Sequence, residues 1–395
     1  MKQPVRTAVV GLGARGLYFA RMYNQAGFSL TAFCDRNPER LELGRRYLGQ
    51  NIPGYTEVET MLRQEDIQAV LIATNDPDHV PPAITSLQAG KHVLVEKPLC
   101  QSISDAALLA RYVRQTDKIF MIGFELRYCS LFQMVRSLLE EGKIGEVKIG
   151  HAFDNVSVGG QYFFHNPSRQ KSFFKTLLLQ KACHSLDLLN WFMGSHPTRV
   201  YAIGGLDYYG RQAPPELRCR HCQKGKSCPY WLDYESFQLD YTTVKDVADF
   251  CVWSKEMDLN DNSELCISYA SGGKATFHES HFTPEYSREF WLVGTRGKLY
   301  AYYDNPGRFL IRIEYAHSSA RHTEEWKPPC PGGGHGGGDE GLRMEFLRRI
   351  ITPGLDVRRL NEEALASGYY STALALGAET SIETGQAVTI PALEE

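Results

Sequence analysis

Hydrophobic and polar residues follow one another in two different ways along the chain, and the change comes near residue 126. Before it, short apolar runs typical of buried strands alternate with segments of helical periodicity. The predicted strands are residues 5–10, 30–34, 69–73, 92–95 and 119–124, and the predicted helices are residues 17–26, 39–47, 82–88 and 104–114. Strands that alternate with helices form parallel βαβ units, so this half predicts a doubly wound parallel sheet.

The second half contains aromatic-rich runs in which apolar and polar residues alternate, separated by tight turns such as Ser271-Gly272-Gly273. The predicted strands are residues 147–156, 200–206, 236–239, 247–253, 264–269, 274–279, 290–294 and 297–303, and the predicted helices are residues 131–140, 182–193, 339–351 and 361–381. Short alternating strands joined by tight turns are typical of antiparallel sheets. We therefore predict an α/β domain at residues 1–125. An α+β domain with a large, mostly antiparallel open sheet follows at residues 126–395, and its C-terminal helices pack back on the first domain.

Composition excludes several classes of protein. The 395 residues are 43% hydrophobic and 23% charged, which is ordinary globular composition, and the formal net charge of -3 argues against nucleic acid or a membrane surface as the main partner. The N-terminus lacks the pattern of a signal peptide, and no apolar stretch approaches the ~18 residues that span a bilayer. We therefore expect a cytoplasmic protein whose ten cysteines are free thiols or metal ligands rather than disulfides.

A glycine-rich turn follows the first predicted strand and reads Gly11-Leu12-Gly13-Ala14-Arg15-Gly16. In the spacing G-x-G-x-x-G, the first glycine permits a tight turn, the second lets backbone approach a pyrophosphate, and the third lets helix pack on strand. The N–H groups and dipole of the helix that follows favour the phosphate charge. This half therefore predicts a dinucleotide-binding Rossmann domain.

Asp35 ends the second predicted strand, roughly 20 residues after the turn. An acid at this point accepts hydrogen bonds from the adenosine ribose, and its charge would repel a 2′-phosphate. We therefore predict NAD rather than NADP, although the neighbouring Arg36 could accommodate that phosphate.

The run Gly90-Lys91-His92-Val93-Leu94-Val95-Glu96-Lys97-Pro98 is the most diagnostic stretch. With the glycine turn, residues 73–79 and residues 142–147, it resembles the Gfo/Idh/MocA oxidoreductase family, which includes relatives of glucose–fructose oxidoreductase and inositol dehydrogenase. The resemblance implies that Lys97 lies beside the nicotinamide and touches the reacting hydroxyl, that Glu96 lies near the nicotinamide ribose, and that Pro98 follows a cis peptide bond. Thr74, Asn75 and His79 are then further cofactor contacts.

Physical chemistry is compatible with that role for Lys97. A lysine at the carboxyl end of a parallel strand, beside a cationic nicotinamide, would have its charged form disfavoured. Such a lysine can hydrogen-bond a sugar alcohol and help to deprotonate it as hydride leaves.

A second group of candidates lies in Gln180-Lys181-Ala182-Cys183-His184-Ser185-Leu186-Asp187. Family members typically carry Asp-x-x-x-His-x-x-Asp here, and His184 and Asp187 match its last two positions on one helix face. Gln180 replaces the first acid and Lys181 follows it. His184 is the acid/base candidate, because its ordinary pKa lies near neutrality. Gln180 and Asp187 are candidate substrate contacts, and Lys181 faces either substrate or solvent.

Three cysteines, Cys219, Cys222 and Cys228, have a spacing that can wrap one tetrahedral Zn²⁺. A fourth ligand is missing locally, and Cys330 or a distant histidine could supply it. Three reduced cysteines in a basic loop, or an iron–sulfur cluster, are the alternatives.

Glycines surround His335 between Gly332 and Asp339. This segment is either a linker with Asp339 as helix cap or a sugar-site loop, since it resembles a loop of the family's NAD-dependent glycosidase branch. Residues 162–166, with Arg169 and Lys171, form another candidate sugar loop. Arg127 could reach cofactor or substrate.

Three functions stay open. The first is an NAD-dependent oxidation of a secondary alcohol in a sugar, polyol or glycoside, using Lys97 and His184. The second is a glycoside hydrolase that regenerates its NAD through transient C3 oxidation, elimination, water addition and re-reduction. The third is a dinucleotide sensor without catalysis. The resemblance also implies a homodimer or homotetramer, with the second domain serving substrate binding and assembly.

Overall fold

Two β-sheets organise the chain in the computed structural model, which describes residues 3–25, 27–48, 52–157, 163–166, 169–233, 249–304, 307–316 and 322–394. The first sheet has six strands in the order β3-β2-β1-β4-β5-β6, and all neighbours are parallel. Its strands are β1 (Val5–Val10), β2 (Phe28–Cys34), β3 (Gly54–Tyr55), β4 (Ala69–Ile72), β5 (His92–Val95) and β6 (Phe120–Ile122). The predicted doubly wound sheet is confirmed.

Helices connect these strands. They are α1 (Ala14–Met22), α2 (Pro38–Leu48), α3 (Val58–Gln64), α4 (Val80–Gln88) and α5 (Ile103–Gln115). Successive side chains of a strand point to opposite faces, so Ala8 and Val10 pack in one core while Val9 packs in the other. The strand order reverses between β1 and β4, and ligands of such sheets bind at that switch point, beyond the carboxyl ends of the strands.

The second sheet has nine strands among the described residues, in the order β14-β13-β12-β11-β7-β10-β9-β8-β15. They are β7 (Val147–Asn155), β8 (Pro197–Gly205), β9 (Asn262–Tyr269), β10 (Lys274–Ser280), β11 (Ser287–Gly294), β12 (Gly297–Asp304), β13 (Phe309–Tyr315), β14 (Thr323–Trp326) and β15 (Val388–Thr389). Only the described pair β7–β10 is parallel, so the mostly antiparallel sheet is confirmed.

Helices cover one face of this sheet and leave apolar side chains on the other. The helices of this half are α6 (Ser130–Glu140), α7 (Leu177–Gln180), α8 (Cys183–Met193), α9 (Gly338–Ile351) and α10 (Val357–Thr384). Helix α8 packs on β7, and α10 packs on β8. On the other face, large apolar side chains are exposed at Ile149, Tyr201, Ile203, Trp291 and Val293.

The C-terminal helices also contact the first sheet's half of the molecule. Leu342 and Phe346 of α9 share a core with Leu17, Tyr23 and Phe28. Helix α10 packs against α5 and β6. None of the described helices combines the length and the apolar content that a membrane crossing requires.

Some predicted elements differ from the structure. The strand predicted at residues 247–253 is wrong in its described part, where Phe250 makes only an isolated bridge with Arg218. The strand predicted at 236–239 lies outside the described residues. Three strands of the second sheet, β13, β14 and β15, were not predicted, although β13 alternates buried and exposed positions. Helix α1 begins at Ala14 rather than residue 17, because the glycine turn leads directly into it.

Candidate active site

A cavity of about 890 Å³ lies at the carboxyl edge of the first sheet. It is lined by the glycine turn, by the ends of β4 and β5, by the start of α8 and by the loop before α9. The described lining residues include Ala14, Arg15, Tyr18, Thr74, Asp76, His79, Glu96, Lys97, Glu125, Phe163, Gln180, Lys181, His184, Tyr286, His335 and Asp339. The structure thus brings both predicted catalytic residues, Lys97 and His184, and several of the predicted cofactor and substrate contacts to one cavity.

The three glycines of the turn differ in the space that surrounds their Cα atoms. Gly11 has φ +90°, and a Cβ there would lie 2.5 Å from the Ala73 carbonyl oxygen. A Cβ on Gly16 would lie 1.8 Å from the Gly11 oxygen, so helix α1 packs directly on the turn. A Cβ on Gly13, by contrast, would meet nothing within 4 Å. This open backbone, with no side chain capping α1 at Gly13, fits a pyrophosphate on the helix N-terminus.

Asp35 lies at the end of β2 and braces the turn. Its Oδ2 accepts a hydrogen bond from the Leu12 N–H at 2.7 Å, and its Oδ1 accepts one from the Asn37 N–H at 2.9 Å. Each carboxylate oxygen accepts more than one hydrogen bond, so capacity remains for ribose hydroxyls. Arg36 is exposed and ion-paired with Asp78 at 3.2 Å.

Thr74, Asn75 and His79 follow β4 and were predicted as cofactor contacts. Their surroundings differ. The Thr74 hydroxyl is buried without a hydrogen-bond partner among the described residues, as expected of a group that awaits a ligand. His79 is buried, with Nδ1 2.8 Å from the Pro98 oxygen and Nε2 3.3 Å from the Thr74 oxygen, so it fastens two loops together. Asn75 begins a short 3₁₀ turn and is not among the described lining residues.

Arg15 is held between two carboxylates. Its Nε donates to Glu96 Oε1 at 2.5 Å, and its Nη2 donates to Asp339 Oδ1 at 2.5 Å. The second oxygen of Glu96 accepts the N–H of Lys97 at 2.8 Å. Arg15 therefore ties the glycine turn both to the Glu-Lys-Pro motif and to the first turn of α9.

Lys97 follows β5 and is joined to Pro98 by a cis peptide bond, as the resemblance implied. Its Nζ donates to the Gln180 carbonyl oxygen at 2.8 Å. Burial acts to lower the pKa of Lys97, but Cys183, Glu96 and other acidic neighbours outweigh burial and raise it. The protein alone therefore favours the charged form of this lysine, whereas the sequence-based prediction concerned Lys97 beside a cationic nicotinamide.

His184 lies in the first turn of α8 and is buried. Its Nε2 is 3.4 Å from Glu125 Oε1, and its Nδ1 has no hydrogen-bond partner among the described residues. Burial, together with the positive charges of Lys97 and His335, holds the pKa of His184 well below its ordinary value.

His335 reaches the same carboxylate from the glycine-rich loop. Its own φ is +52°, in the left-handed region, and glycines with positive φ flank it. Its Nε2 is 3.1 Å from Glu125 Oε1, and its Nδ1 is 3.0 Å from Asp339 Oδ2. Glu125 was not predicted. It lies three residues after β6, near the edge where the carboxyl ends of the parallel strands meet, and that position is the signal that could have found it.

The substrate candidates near α7 have separate partners. The Lys181 ammonium donates to the Tyr286 hydroxyl at 3.0 Å, and Arg288 donates to the same oxygen at 2.7 Å. Burial acts to raise the pKa of Tyr286, but Arg288 and Lys181 outweigh it, so the pKa is lowered. The Gln180 carboxamide oxygen is buried without a partner among the described residues. Tyr286, missed from the sequence, thus joins the cavity.

Arg127 and Asp187 are paired with each other. Asp187 is buried and accepts two hydrogen bonds from Arg127, at 2.6 and 2.8 Å, and one from the Ser367 hydroxyl at 2.6 Å. Neither is among the described residues that line the cavity. The pair joins the end of the first sheet to α8 and α10, a role in positioning rather than in contact with a ligand.

Two other basic candidates are also engaged away from the cavity. Arg169 is buried and bonded to Glu256, and the Lys171 ammonium lies 2.5 Å from Glu379. Of the predicted sugar loop, Phe163 lines the cavity, whereas Tyr162 lies outside the described residues.

The cysteine cluster is not assembled as a tight metal centre. Cys222 and Cys228 each end a 3₁₀ turn, and Cys219 is buried beside them. Within the described ranges, the one group of three ligand atoms lying within 4.8 Å of one another is that of Glu125, His184 and His335, so the three thiols form no such group. Cys330 lies against Gly307 instead.

Comparison with known proteins agrees with this geometry. Residues 5–124 match the family model of an oxidoreductase family with an NAD-binding Rossmann fold, and residues 132–300 match the Gfo/Idh/MocA C-terminal domain. The YteT protein of Bacillus subtilis (strain 168) is 25% identical over 392 residues, which cover 90% of each chain.

Two further proteins are similar to this chain. Glycosyl hydrolase family 109 protein 3 of Phocaeicola vulgatus is 27% identical over 313 residues, which cover 75% of this chain but only 52% of that protein. A levoglucosan dehydrogenase solved in complex with NADH superposes with a TM-score of 0.72 at 17% identity, covering 98% of this chain and 100% of that one. The latter likeness shows a shared fold.

Proposed function

Because the chain belongs to the Gfo/Idh/MocA oxidoreductase family, we propose that it uses NAD to oxidise a secondary alcohol of a sugar, polyol or glycoside. The observation that carries the proposal is the convergence of the glycine turn, Lys97 and His184 on one cavity. A sensor would need the turn but would have no use for an acid/base group beside Lys97.

The chain's own residues support specific roles. The open backbone at Gly13 and the uncapped start of α1 would hold the pyrophosphate, and Asp35 would bind the adenosine ribose, which favours NAD over NADP. When bound there, NAD accepts a hydride from the substrate carbon. The Lys97 ammonium is fixed by the Gln180 oxygen and would hydrogen-bond the reacting hydroxyl, stabilising negative charge as it develops.

A proton acceptor is also available. The hydroxyl proton would pass to the Glu125–His184–His335 cluster, which lines the same cavity. Lys181 and Tyr286 would contact other hydroxyls of the substrate, and Gln180 would offer its buried carboxamide oxygen. Arg127 and Asp187 would keep α8 in position.

A second function is favoured by one observation, the placement of His335 beside Glu125 and His184. A glycosidase with recycled NAD needs a further acid/base group for the leaving group and for the proton at C2, beyond those of a simple dehydrogenase. His335 supplies such a group, and a named glycosyl hydrolase is among the relatives.

One experiment separates these functions. Purified protein is incubated with NAD and a panel of polyols, sugars and aryl glycosides, while absorbance at 340 nm and aglycone release are followed together. NADH in proportion to product supports the dehydrogenase. Aglycone release that needs NAD but leaves no net NADH supports the glycosidase, and neither signal on a broad panel would favour a sensor.

Structural zinc on the cysteines is a separate proposal. The Cys219 N–H donates to the Asp249 oxygen and the Cys251 N–H donates to the Leu217 oxygen, so Cys251 flanks Cys219 on paired backbone. Cys251 would be the fourth ligand, and zinc would draw the four thiols together. Zinc content of the purified protein tests this, because Cys251→Ser should hold about one ion fewer per chain than the wild type. An unchanged zinc content in that variant would contradict the assignment.

Assembly into a homodimer or homotetramer is proposed through the open face of the second sheet. Its exposed Tyr201, Ile203 and Trp291 form an apolar surface of the kind that subunit contacts cover. Light scattering of the purified protein should give a multiple of the chain mass, and Ile203→Asp should shift the mass towards the monomer.

A further inference from the structure

Glu125 is a buried carboxylate that its surroundings leave unsatisfied. It is 1% exposed, and neither of its oxygens has a hydrogen-bond partner among the described residues. A buried carboxylate without hydrogen bonds is destabilising unless positive charge compensates it. Two cations that interact with it electrostatically have hydrogen-bond partners of their own: Arg15 binds Glu96 and Asp339, and Lys97 donates to the Gln180 oxygen.

Two imidazole nitrogens point at the same oxygen of this carboxylate. His335 Nε2 lies 3.1 Å and His184 Nε2 lies 3.4 Å from Glu125 Oε1, and all three ligand atoms lie within 4.8 Å of one another. These distances are within the range of hydrogen bonds, yet Oε1 forms no hydrogen bond with a described residue. Donor atoms that approach one another without hydrogen bonds are the arrangement expected around a shared cation.

The two nitrogen–oxygen separations, 3.1 and 3.4 Å, match those around one ion. Zinc binds imidazole nitrogen and carboxylate oxygen at about 2.0–2.1 Å, which places tetrahedral ligands about 3.3 Å apart. Two histidines and one glutamate, with a position left for water or substrate, form a known catalytic zinc set. We propose that Glu125, His184 and His335 bind a divalent transition-metal ion of the zinc class, with its open position towards the cavity.

The surroundings of His335 support this assignment. Its Nδ1 lies 3.0 Å from Asp339 Oδ2, and a histidine that binds a metal through one nitrogen commonly donates its other N–H to a carboxylate. In the tautomer whose Nδ1–H donates to Asp339, Nε2 is unprotonated and faces Glu125. The positive φ of His335 and Gly336 turns the loop so that this atom reaches Glu125.

An ion here would act on the substrate of the proposed oxidation. All three ligands line the cavity that contains Lys97, so the open position would take a hydroxyl oxygen of the substrate and lower the pKa of that hydroxyl. With the ion bound, the three side chains would act as its ligands rather than as the proton acceptor, and the proton of the ion-bound hydroxyl would pass to water in the cavity. This proposal rests on the proposed function, but metal binding is measured without turnover. Metal binding can therefore be absent while the NAD chemistry is found, and it can be present while the NAD chemistry is not.

Cobalt binding to the full-length protein tests the proposal. Protein freed of metal with a chelator is titrated with Co²⁺, and bound ion is counted after desalting and followed by visible absorbance. Cys222→Ser serves as the matched control, because it removes a thiol ligand of the separate cysteine cluster and leaves Glu125, His184 and His335 unchanged. It should keep the ion that the cavity holds.

Variants of the proposed ligands should lose that ion. His335→Ala removes a ligand whose side chain is 35% exposed, so the core is unaffected, and Glu125→Gln keeps the size of the buried side chain. Each should bind one Co²⁺ fewer per chain than the wild type, and Asp339→Asn should weaken binding by about 10–100-fold. Circular dichroism and NAD titration confirm that the variants fold. Equal Co²⁺ binding by the wild type and both ligand variants would overturn the proposal.

Discussion

Two glycine-rich turns open onto the same cavity, each just before a helix, and they use glycine for opposite purposes. In the first turn, Gly11 and Gly16 are required because backbone packs on backbone, and the open surface at Gly13 is the backbone itself. In the second turn, Gly333, Gly336 and Gly337 have positive φ, and their bends carry one side chain, that of His335, to Glu125.

The difference is one of chemistry as well as of shape. A phosphate is recognised by N–H groups and a helix dipole, so the first turn has no need of a side chain at the ligand. Proton transfer and metal binding need a titratable side chain at a fixed place, so the second turn aims an imidazole. Arg15 links the two turns, since it leaves the first and binds Asp339 beyond the second.

The largest effect is expected at Lys97, which lines the cavity onto which both turns open. Lys97→Ala should lower kcat by at least about a thousandfold, because the ammonium that stabilises the developing negative charge is gone. NAD affinity, set mainly by the first turn, should change little. The 340 nm assay and an NAD titration on the same preparation measure both, and a kcat within threefold of the wild type would refute the assigned role.

Substitutions at two glycines of the first turn should have different effects on stability. Gly16→Ala places a Cβ 1.8 Å from the Gly11 oxygen, so the variant should melt several degrees lower and lose NAD binding. Gly13→Ala meets nothing within 4 Å, so its melting temperature should stay the same while the added methyl weakens NAD binding. Thermal unfolding with and without NAD compares the two, and equal melting temperatures would contradict the packing explanation.

In the second turn, the backbone conformation should affect kcat rather than NAD affinity. Gly336 has φ +63° and a Cβ there would lie 2.8 Å from the Phe309 ring, so Gly336→Ala should displace His335 and lower kcat by about tenfold or more, with NAD affinity unchanged. Gly272→Ala is the matched control, because its φ is +79° and its surroundings are open. If Gly336→Ala kept full activity, His335 would not need its present position.

A smaller effect is expected at Asp35. Asp35→Asn keeps an oxygen for the Leu12 N–H but removes the negative charge that would repel a 2′-phosphate. The preference for NAD over NADP, measured as a ratio of kcat/KM values, should fall by about tenfold, or ~1.4 kcal/mol. An unchanged ratio would place the discrimination elsewhere, with Arg36 and its partner Asp78 as the next residues to vary.

The first sheet and its turn could be predicted from the sequence because the determinants are local. Strand, glycine spacing, helix and Asp35 follow one another within about thirty residues, and each has a short-range physical reason. Lys97 could also be predicted from local sequence, because it lies two residues after the end of β5. Strand β14, which reads Thr-Glu-Glu-Trp, has no apolar alternation to reveal it and forms by pairing with β13.

The rest of the site depends on contacts between distant segments. Glu125, His184 and His335 come from three separate parts of the chain, and no local pattern relates them. Asp187 matches a family position, yet its carboxylate is taken by Arg127, a partner 60 residues away. Charge balance at Lys97 is also a property of the fold, since Asp76 and Glu125 approach it only once the strands are assembled.

The fate of the substrate hydrogen tests the central claim most directly. A substrate found in the panel is prepared with deuterium on the carbon that is oxidised, and a single turnover with NAD is quenched and examined by mass spectrometry. Direct hydride transfer predicts deuterium on the nicotinamide, or returned to the same carbon of the product if NAD is regenerated. Product formation with the deuterium lost to water would contradict the account.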